Sequence, residues 1–262
     1  MSDPSTAPTN PNTAYPWLPT LCGRFIAFEG ADGSGKSTQL TKLLEMCAAA
    51  GVTVCQVREP GGTSVGEQIR NILLDRNSEM TLHCEMLLYM ASRAQLVEER
   101  IRPALARNEL VIADRFVSST YAYQGTAGGV PAEHIAAVAF AAVGKTLPDL
   151  VIIFDVDSAT AARRTSGVEK VGRKKGTAAA GTASGAARAP AISTSPTASL
   201  FADRIEQRPS DFHAKVRQGY LELARTEPAR HIVVDASKPP EAVWTELTAK
   251  LATWAAKPQK QT

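Results

Sequence analysis

The sequence predicts an α/β fold, a parallel sheet covered by helices on both faces. Strand-like runs alternate with helix-like runs along the chain, as they do when each strand is followed by a crossover helix. The strand runs are almost continuously apolar. Asp149-Leu150-Val151-Ile152-Ile153-Phe154-Asp155-Val156 is the clearest, and such a run suits a strand buried on both faces. The first strand-like run, Arg24 to Glu29, passes through a glycine-rich loop straight into a helix-like run, Thr38 to Ala50.

That loop is Gly30-Ala31-Asp32-Gly33-Ser34-Gly35-Lys36-Ser37. It fits G-x-x-x-x-G-K-[ST], and strand, loop and helix are the context the motif requires. Glycines let backbone N–H groups turn inward, and with the following helix N-terminus they make an anion cradle. The residues from Gly30 to Thr38 are therefore assigned to nucleotide binding. Lys36 is expected to reach the β- and γ-phosphates, and the Ser37 hydroxyl to bind Mg²⁺. An ordinary glycine-rich turn would need neither the lysine nor the hydroxyl.

The 262 residues suffice for one domain, read as residues 21–262, and 44% are hydrophobic. A net charge of +3 gives no global sign of a nucleic-acid or membrane partner. Cys22, Cys47, Cys55 and Cys84 form no C-x-x-C pair, so they read as buried free thiols in a reducing, cytoplasmic setting. Residues 1–20 are rich in Pro, Ser, Thr and Asn, lack a basic residue, and read as a disordered tail.

Next in order, Val52 to Val57 is a second strand, stopped by Arg58-Glu59-Pro60-Gly61-Gly62-Thr63. Arg58 then lies at the carboxyl end of a strand, where an anionic ligand binds in an open sheet; a solvated loop arginine is the alternative. Ser64-x-x-Glu67 reads as a capping box that opens a helix to Leu74. A longer helix covers Leu82 to Arg107, bent at Pro103. Tyr89 and Arg93 share one of its faces, and by periodicity alone Tyr89 is a core aromatic. Leu110 to Arg115 is a third strand ending abruptly in charge. An acid such as Asp114 there holds Mg²⁺ or its waters in phosphate-loop proteins. Ser118 to Gly125 carries hydroxyls and an amide that suit a sugar or base edge, or else a capped helix start. Pro131 to Val143 is an alanine-rich helix, and the fourth strand follows. From Thr165 to Ser199 the chain is Ala, Gly, Ser, Thr and Lys/Arg without apolar period. Such a stretch within a domain is a functional lid or a disordered insertion, here placed at about 163–204. A helix from about Ser210 to Arg225, a strand from His231 to Ala236, and a helix after Pro239 complete a five-stranded sheet.

Four segments together resemble thymidylate kinases of bacterial type. They are Phe28 to Thr38, Arg58 to Thr63, Asp114-Arg115-Phe116 with Ala122 to Gly125, and Asp203-Arg204-Ile205-Glu206. The resemblance runs from about Arg24 to Trp254, apart from the Ala/Gly-rich stretch. It implies a phosphate-loop fold, the reaction of ATP and dTMP to ADP and dTDP with Mg²⁺, and a homodimer. It further implies that Arg58 and Arg115 hold the dTMP phosphate, and that Tyr89 stacks on thymine where Phe is common. Arg93 would hydrogen-bond the base, while Ser119, Thr120, Tyr123 and Gln124 line base and deoxyribose. Tyr123 would crowd a ribose 2′-OH. Asp32 would lie near the sugar 3′-OH and the acceptor phosphate, and Asp114 near Mg²⁺. Gly33 stands where some members carry a catalytic arginine, so the lid is expected to supply that charge from Arg163, Arg164 or Arg173, with Arg164 the first choice. Arg204 is expected to hold the lid base or contact ATP. Phe116 replaces a common Tyr, and some activity on dUMP is expected.

Overall fold

A computed structural model describes residues 15–165, 204–205 and 208–257. Its sheet contains β1 (Phe25–Glu29), β2 (Val54–Arg58), β3 (Leu110–Asp114), β4 (Leu150–Asp155) and β5 (His231–Asp235). All pairings are parallel, in the order β2-β3-β1-β4-β5. The chain moves to one side of β1 for β2 and β3, and to the other for β4 and β5. A crevice opens beyond the carboxyl ends of strands at such a reversal. The helices are α1 (Lys36–Ala49), α2 (Ser64–Leu74), α3 (Leu82–Leu96), α4 (Arg102–Ala106), α5 (Val117–Thr120), α6 (Ala132–Val143), α7 (Ser158–Thr165), α8 (Ser210–Thr226) and α9 (Pro240–Ala255). None of the described helices is long and apolar enough to cross a membrane.

Strand alternation builds the two cores. Phe25 and Ala27 of β1, Val111 and Ala113 of β3, and Val151 and Ile153 of β4 face one layer, with Met90, Ala139 and Val216. Ile26, Phe28, Leu110, Ile112, Leu150 and Ile152 face the other, with Leu43 and Leu251. These three central strands therefore have both faces buried, which is why their sequences show no polar alternation, whereas β2 and β5, at the sheet edges, have half-buried positions.

Several expectations change. The segment from Tyr15 onward is not a disordered tail. Leu18–Leu21 is a 3₁₀ turn, and both leucines are fully buried against the α1/α9 layer. Residues three apart eclipse on such a turn, so the pair presents one apolar side. Residues 1–14 lie outside the described residues. Thr63, not Ser64, caps α2: its hydroxyl accepts from Gly66 N–H, while Glu67 turns back to accept from Gly62 N–H. Positive φ at Gly61 and Gly62 delivers Thr63 in extended conformation, one residue earlier than the sequence pattern suggested. The helix expected over Leu82 to Arg107 widens into a π turn at Val97–Ile101 before α4. Pro103 lacks an N–H and its ring crowds the carbonyl four residues back, so the wider turn relieves it. The thiols are all free, but only Cys47 and Cys55 are buried; Cys84 is exposed. Helix α7 was not anticipated. Most of the expected lid, including Arg173 and Asp203, lies outside the described residues.

The N-terminal turn yields a test. Leu21→Ala should cost about 2–5 kcal/mol of stability while leaving ligand affinity unchanged, as read by urea unfolding and ligand titration. A loss below about 0.5 kcal/mol would mean that the turn does not pack in solution.

Candidate functional site

Charge gathers at one end of the sheet because the strands end in Glu29, Arg58, Asp114, Asp155 and Asp235. Glu29 is fully buried at the end of the central strand. Its Oε1 accepts from the N–H groups of Phe116 (2.8 Å) and Ser119 (3.2 Å). Its Oε2 accepts from the hydroxyls of Ser119 (2.6 Å) and Tyr220 (2.9 Å). Burial raises the Glu29 carboxyl above its ordinary range, with these donors and Arg115 pulling the other way.

This network fixes the chain just after β3. Arg115 takes a left-handed backbone (φ 72°), unusual for a residue with a side chain. Its N–H donates to Phe28 carbonyl at 2.9 Å. Its guanidinium donates to Asp32 Oδ1 at 2.6 Å, to Tyr220 at 3.2 Å and to Ser119 at 3.3 Å, and lies 5.2 Å from the Tyr123 ring centre. Burial pushes Asp32 up, but Arg115 and Lys36 bring it down to about 2. Asp32 is therefore a carboxylate throughout the working range.

Two cavities meet here, and Asp32 lies in the wall of both. The larger, about 760 Å³, is lined by Asp32 through Thr38, by Arg164, and by the loop Ala236 to Pro240 after β5. Gly30 and Ala31 do not line it; their carbonyls accept from Lys36 Nζ at 3.0 and 3.4 Å. Burial lowers the Lys36 ammonium, Arg115 adds to this, and Asp114, Asp32 and Glu29 oppose it. Gly33 has φ 79°, and a Cβ there would stand 2.3 Å from the Ala161 carbonyl oxygen on α7. No side chain fits, so an arginine at 33 is sterically excluded. The same α7 carries Arg164, which donates to the Ala236 carbonyl at 2.9 Å and to those of Gly33 and Ser237 at 3.5 Å. Arg163 points elsewhere, to the Thr160 hydroxyl at 2.7 Å.

The smaller cavity, about 190 Å³, brings together Arg58, Tyr89, Asp114, Arg115, Ser119, Thr120, Tyr123 and Gln124, all singled out in the sequence. The segment from Ser118 lies in a short helix that has no side-chain cap, and its Ser119 and Thr120, with Tyr123 and Gln124 beyond, line the cavity. Arg58 donates to both oxygens of Glu67 at 2.9 and 3.1 Å. Arg93 is placed differently from expectation. It is 1% exposed and does not line the cavity. Its donors go to Glu59 (2.7 Å), Thr120 (3.1 Å), Met90 Sδ (3.0 Å) and the Phe116 carbonyl (3.1 Å). With the second Glu59 contact at 2.6 Å, all the N–H groups of a guanidinium are used. Phe116 is itself buried in the core, under Arg93 and against Phe25. Arg204 bonds the Leu73 carbonyl at 3.1 Å and the Glu85 carboxylate.

Sequence reasoning assigned no role to Glu59, Arg70, Leu74 or Ile205 in the smaller cavity, or to the Ala236 to Pro240 loop in the larger. The loop follows the carboxyl end of a parallel strand, and that signal could have found it. Tyr220 showed only helical periodicity, and its hydroxyl has a site role because α8 lies across β4 and β5.

Among the described residues, four buried side-chain oxygens have no hydrogen-bond partner: Ser34 Oγ, Gln39 Oε1, Glu59 Oε1 and Asp114 Oδ1. An unpaired carboxylate oxygen beside the loop, with the Ser37 hydroxyl at the start of α1, is a hard-oxygen donor set that fits Mg²⁺.

Burial pushes Glu59 from 4.5 up to about 7, against the pull of Arg93. Between these values the folded chain holds a proton that the unfolded chain releases. The contribution is full below about 4.5 and is lost as pH rises to about 7. Glu59→Gln should therefore flatten the fall in melting temperature across that window. Equal falls in both proteins would assign the effect to other groups.

A thymidylate kinase family model matches residues 28–178. The thymidylate kinase of Thermoanaerobacter sp. (strain X514) is 40% identical over 213 residues, 81% of this chain and 89% of that protein. That of Symbiobacterium thermophilum is 41% identical over 224 residues, 85% and 90% of the two chains. That of Alcanivorax borkumensis is 40% identical over 228 residues, 87% and 95%.

Proposed function

The chain belongs to the thymidylate kinase family, and on that premise we propose that it transfers the γ-phosphoryl group of ATP to dTMP, giving ADP and dTDP. The observation that carries this reading is the placement of Asp32 and Arg115. Asp32 borders both cavities, and Arg115 is bonded to it. The larger cavity, with its glycine cradle and Lys36, suits the triphosphate. The smaller has two arginines, Arg58 and Arg115, which suit an acceptor that already bears a phosphate.

A phosphate oxygen of the acceptor attacks the γ-phosphorus, and the bond to the β,γ-bridging oxygen breaks, leaving ADP with the electron pair. The acceptor oxygen is already ionised near neutral pH, so no side chain need remove a proton. Catalysis is positioning and charge neutralisation. Lys36 and the loop N–H groups face the transferred group, and Arg164 adds positive charge from the donor side. Arg58 and Arg115 hold the acceptor in line, with Tyr89 against its base and Tyr123 beside its sugar. Asp114 and Ser37 would hold Mg²⁺, which when bound neutralises phosphate charge. Arg93 positions Thr120 and the Phe116 carbonyl from behind the cavity wall.

The test is ADP release with ATP and Mg²⁺ in the presence of dTMP, dUMP, thymidine or no acceptor. Turnover should be highest with dTMP, lower with dUMP and absent with thymidine. Arg115→Ala and Lys36→Ala should each lower kcat by about a hundredfold or more in folded protein. Turnover with thymidine alone, or near-normal Arg115→Ala, would sink the reading.

A homodimer is part of the same proposal. Helices α3 and α6 pack together, and each carries an exposed apolar side chain, Leu87 (51%) and Phe140 (69%). Phe140→Asp should shift the protein from dimer to monomer in light scattering, and an unchanged mass would remove this face from consideration. A cytoplasmic location suits the four free thiols.

A further inference from the structure

The amide of Gln124 is 2% exposed yet forms part of the smaller cavity's wall. Its carbonyl and NH₂ ends are nearly equal in shape, so its partners decide which end faces a ligand. One partner decides it here. Glu85, on α3, is 1% exposed, and its Oε1 accepts from Gln124 Nε2 at 2.7 Å. A carboxylate has acceptors only, so the amide must turn its NH₂ toward Glu85. The carbonyl oxygen then lies on the other side of the amide, as an acceptor.

The second oxygen of Glu85 has a different task. Oε2 takes both Arg204 and Arg208, the latter at 2.6 Å. Two guanidinium groups compensate a buried charge that would otherwise be costly. Each oxygen therefore has its own duty, one for charge and one for direction.

We propose that Glu85 is a positioning residue for base selection: it fixes the direction of the Gln124 amide, so that the cavity accepts pyrimidines with a proton on N3 and rejects those without one. The proposal rests on the reading of the smaller cavity as the acceptor site. Thymine and uracil carry N3–H, a donor to the Gln124 carbonyl. Cytosine has a bare N3, an acceptor, which would face that oxygen with no proton between them. To serve cytosine the amide would have to rotate. Its carbonyl would then meet the Glu85 carboxylate, again two buried acceptors in contact. Selectivity thus comes from what Glu85 forbids as much as from what Gln124 offers.

The test compares kcat/KM for dTMP with that for dCMP in the full-length enzyme. Glu85→Gln keeps the shape but can face Gln124 with either oxygen or nitrogen, so it removes the direction; it also removes the charge that Arg204 and Arg208 compensate, an effect that Arg208→Gln reproduces in part without touching the Gln124 contact. The dTMP/dCMP ratio should fall about tenfold or more, or dCMP turnover should emerge where the parent enzyme shows none. Arg208→Gln is the control. It loosens the same cluster but leaves the contact between Glu85 and Gln124, so it should lower the melting temperature and leave the ratio unchanged. In a Gln124→Leu background the Glu85→Gln change should have no further effect on the ratio. If Glu85→Gln does not fold, Glu85→Asp is read the same way, because its shorter carboxylate withdraws from the amide. An unchanged ratio in the folded Glu85 variants, or an equal fall in Arg208→Gln, overturns the proposal. Absence of dTMP turnover in the parent enzyme would instead overturn the acceptor reading beneath it.

Discussion

The hydrogen-bonded carboxylate of Glu29 is the constraint on which the site depends. A fully buried carboxyl at the end of the central strand is tolerable only if its lone pairs are satisfied. The donors are two backbone N–H groups after β3, the Ser119 hydroxyl and the Tyr220 hydroxyl. Meeting that demand draws the start of α5 and the face of α8 onto β1. Arg115, immediately before this anchored segment, has little choice of position. Its left-handed backbone and its contact with Asp32 follow from where its neighbours are held.

From that anchor the division into two cavities becomes intelligible. The loop after β1 runs along one side of Asp32, and the segment after β3 along the other. Asp32 and Arg115 neutralise each other across the boundary, and each remains available to a ligand charge on its own side. The absence of a side chain at Gly33 belongs to the same geometry. The α7 backbone approaches so closely that only hydrogen fits, and the approach carries Arg164 to the larger cavity's wall.

The buried Arg93–Glu59 pair shows what a motif cannot say about direction. Spacing placed Arg93 on the same face as Tyr89, and that is correct as far as helix geometry goes. Which of the two reaches the cavity is decided by depth. Glu59 waits behind the wall, and its buried carboxyl group engages the guanidinium of Arg93, which leaves no N–H of that arginine for a ligand. Tyr89 remains on the cavity surface. The cap of α2 teaches a similar lesson. Ser64 and Glu67 have the spacing of a capping box, yet Glu67 serves Arg58 and Gly62, because the preceding glycines had already shifted the helix start.

By itself the sequence determined the sheet, its five strands and the phosphate loop. These are local: apolar runs must be buried, and a glycine loop before a helix makes its own cradle whatever surrounds it. Strand-end position marked Arg58, Asp114 and Arg115, because an open sheet places its ligands there, while the resemblance to thymidylate kinases, not a local pattern, pointed to Tyr89, Ser119, Thr120, Tyr123 and Gln124. Only the tertiary structure decided the partnerships among residues far apart in sequence. Glu29 with Tyr220, Arg93 with Glu59, Glu85 with Gln124 and Arg208, and the burial of Leu18 and Leu21 are of this kind. A polar side chain's role is set by which other polar group is buried beside it, and that depends on packing between elements, which no local pattern encodes.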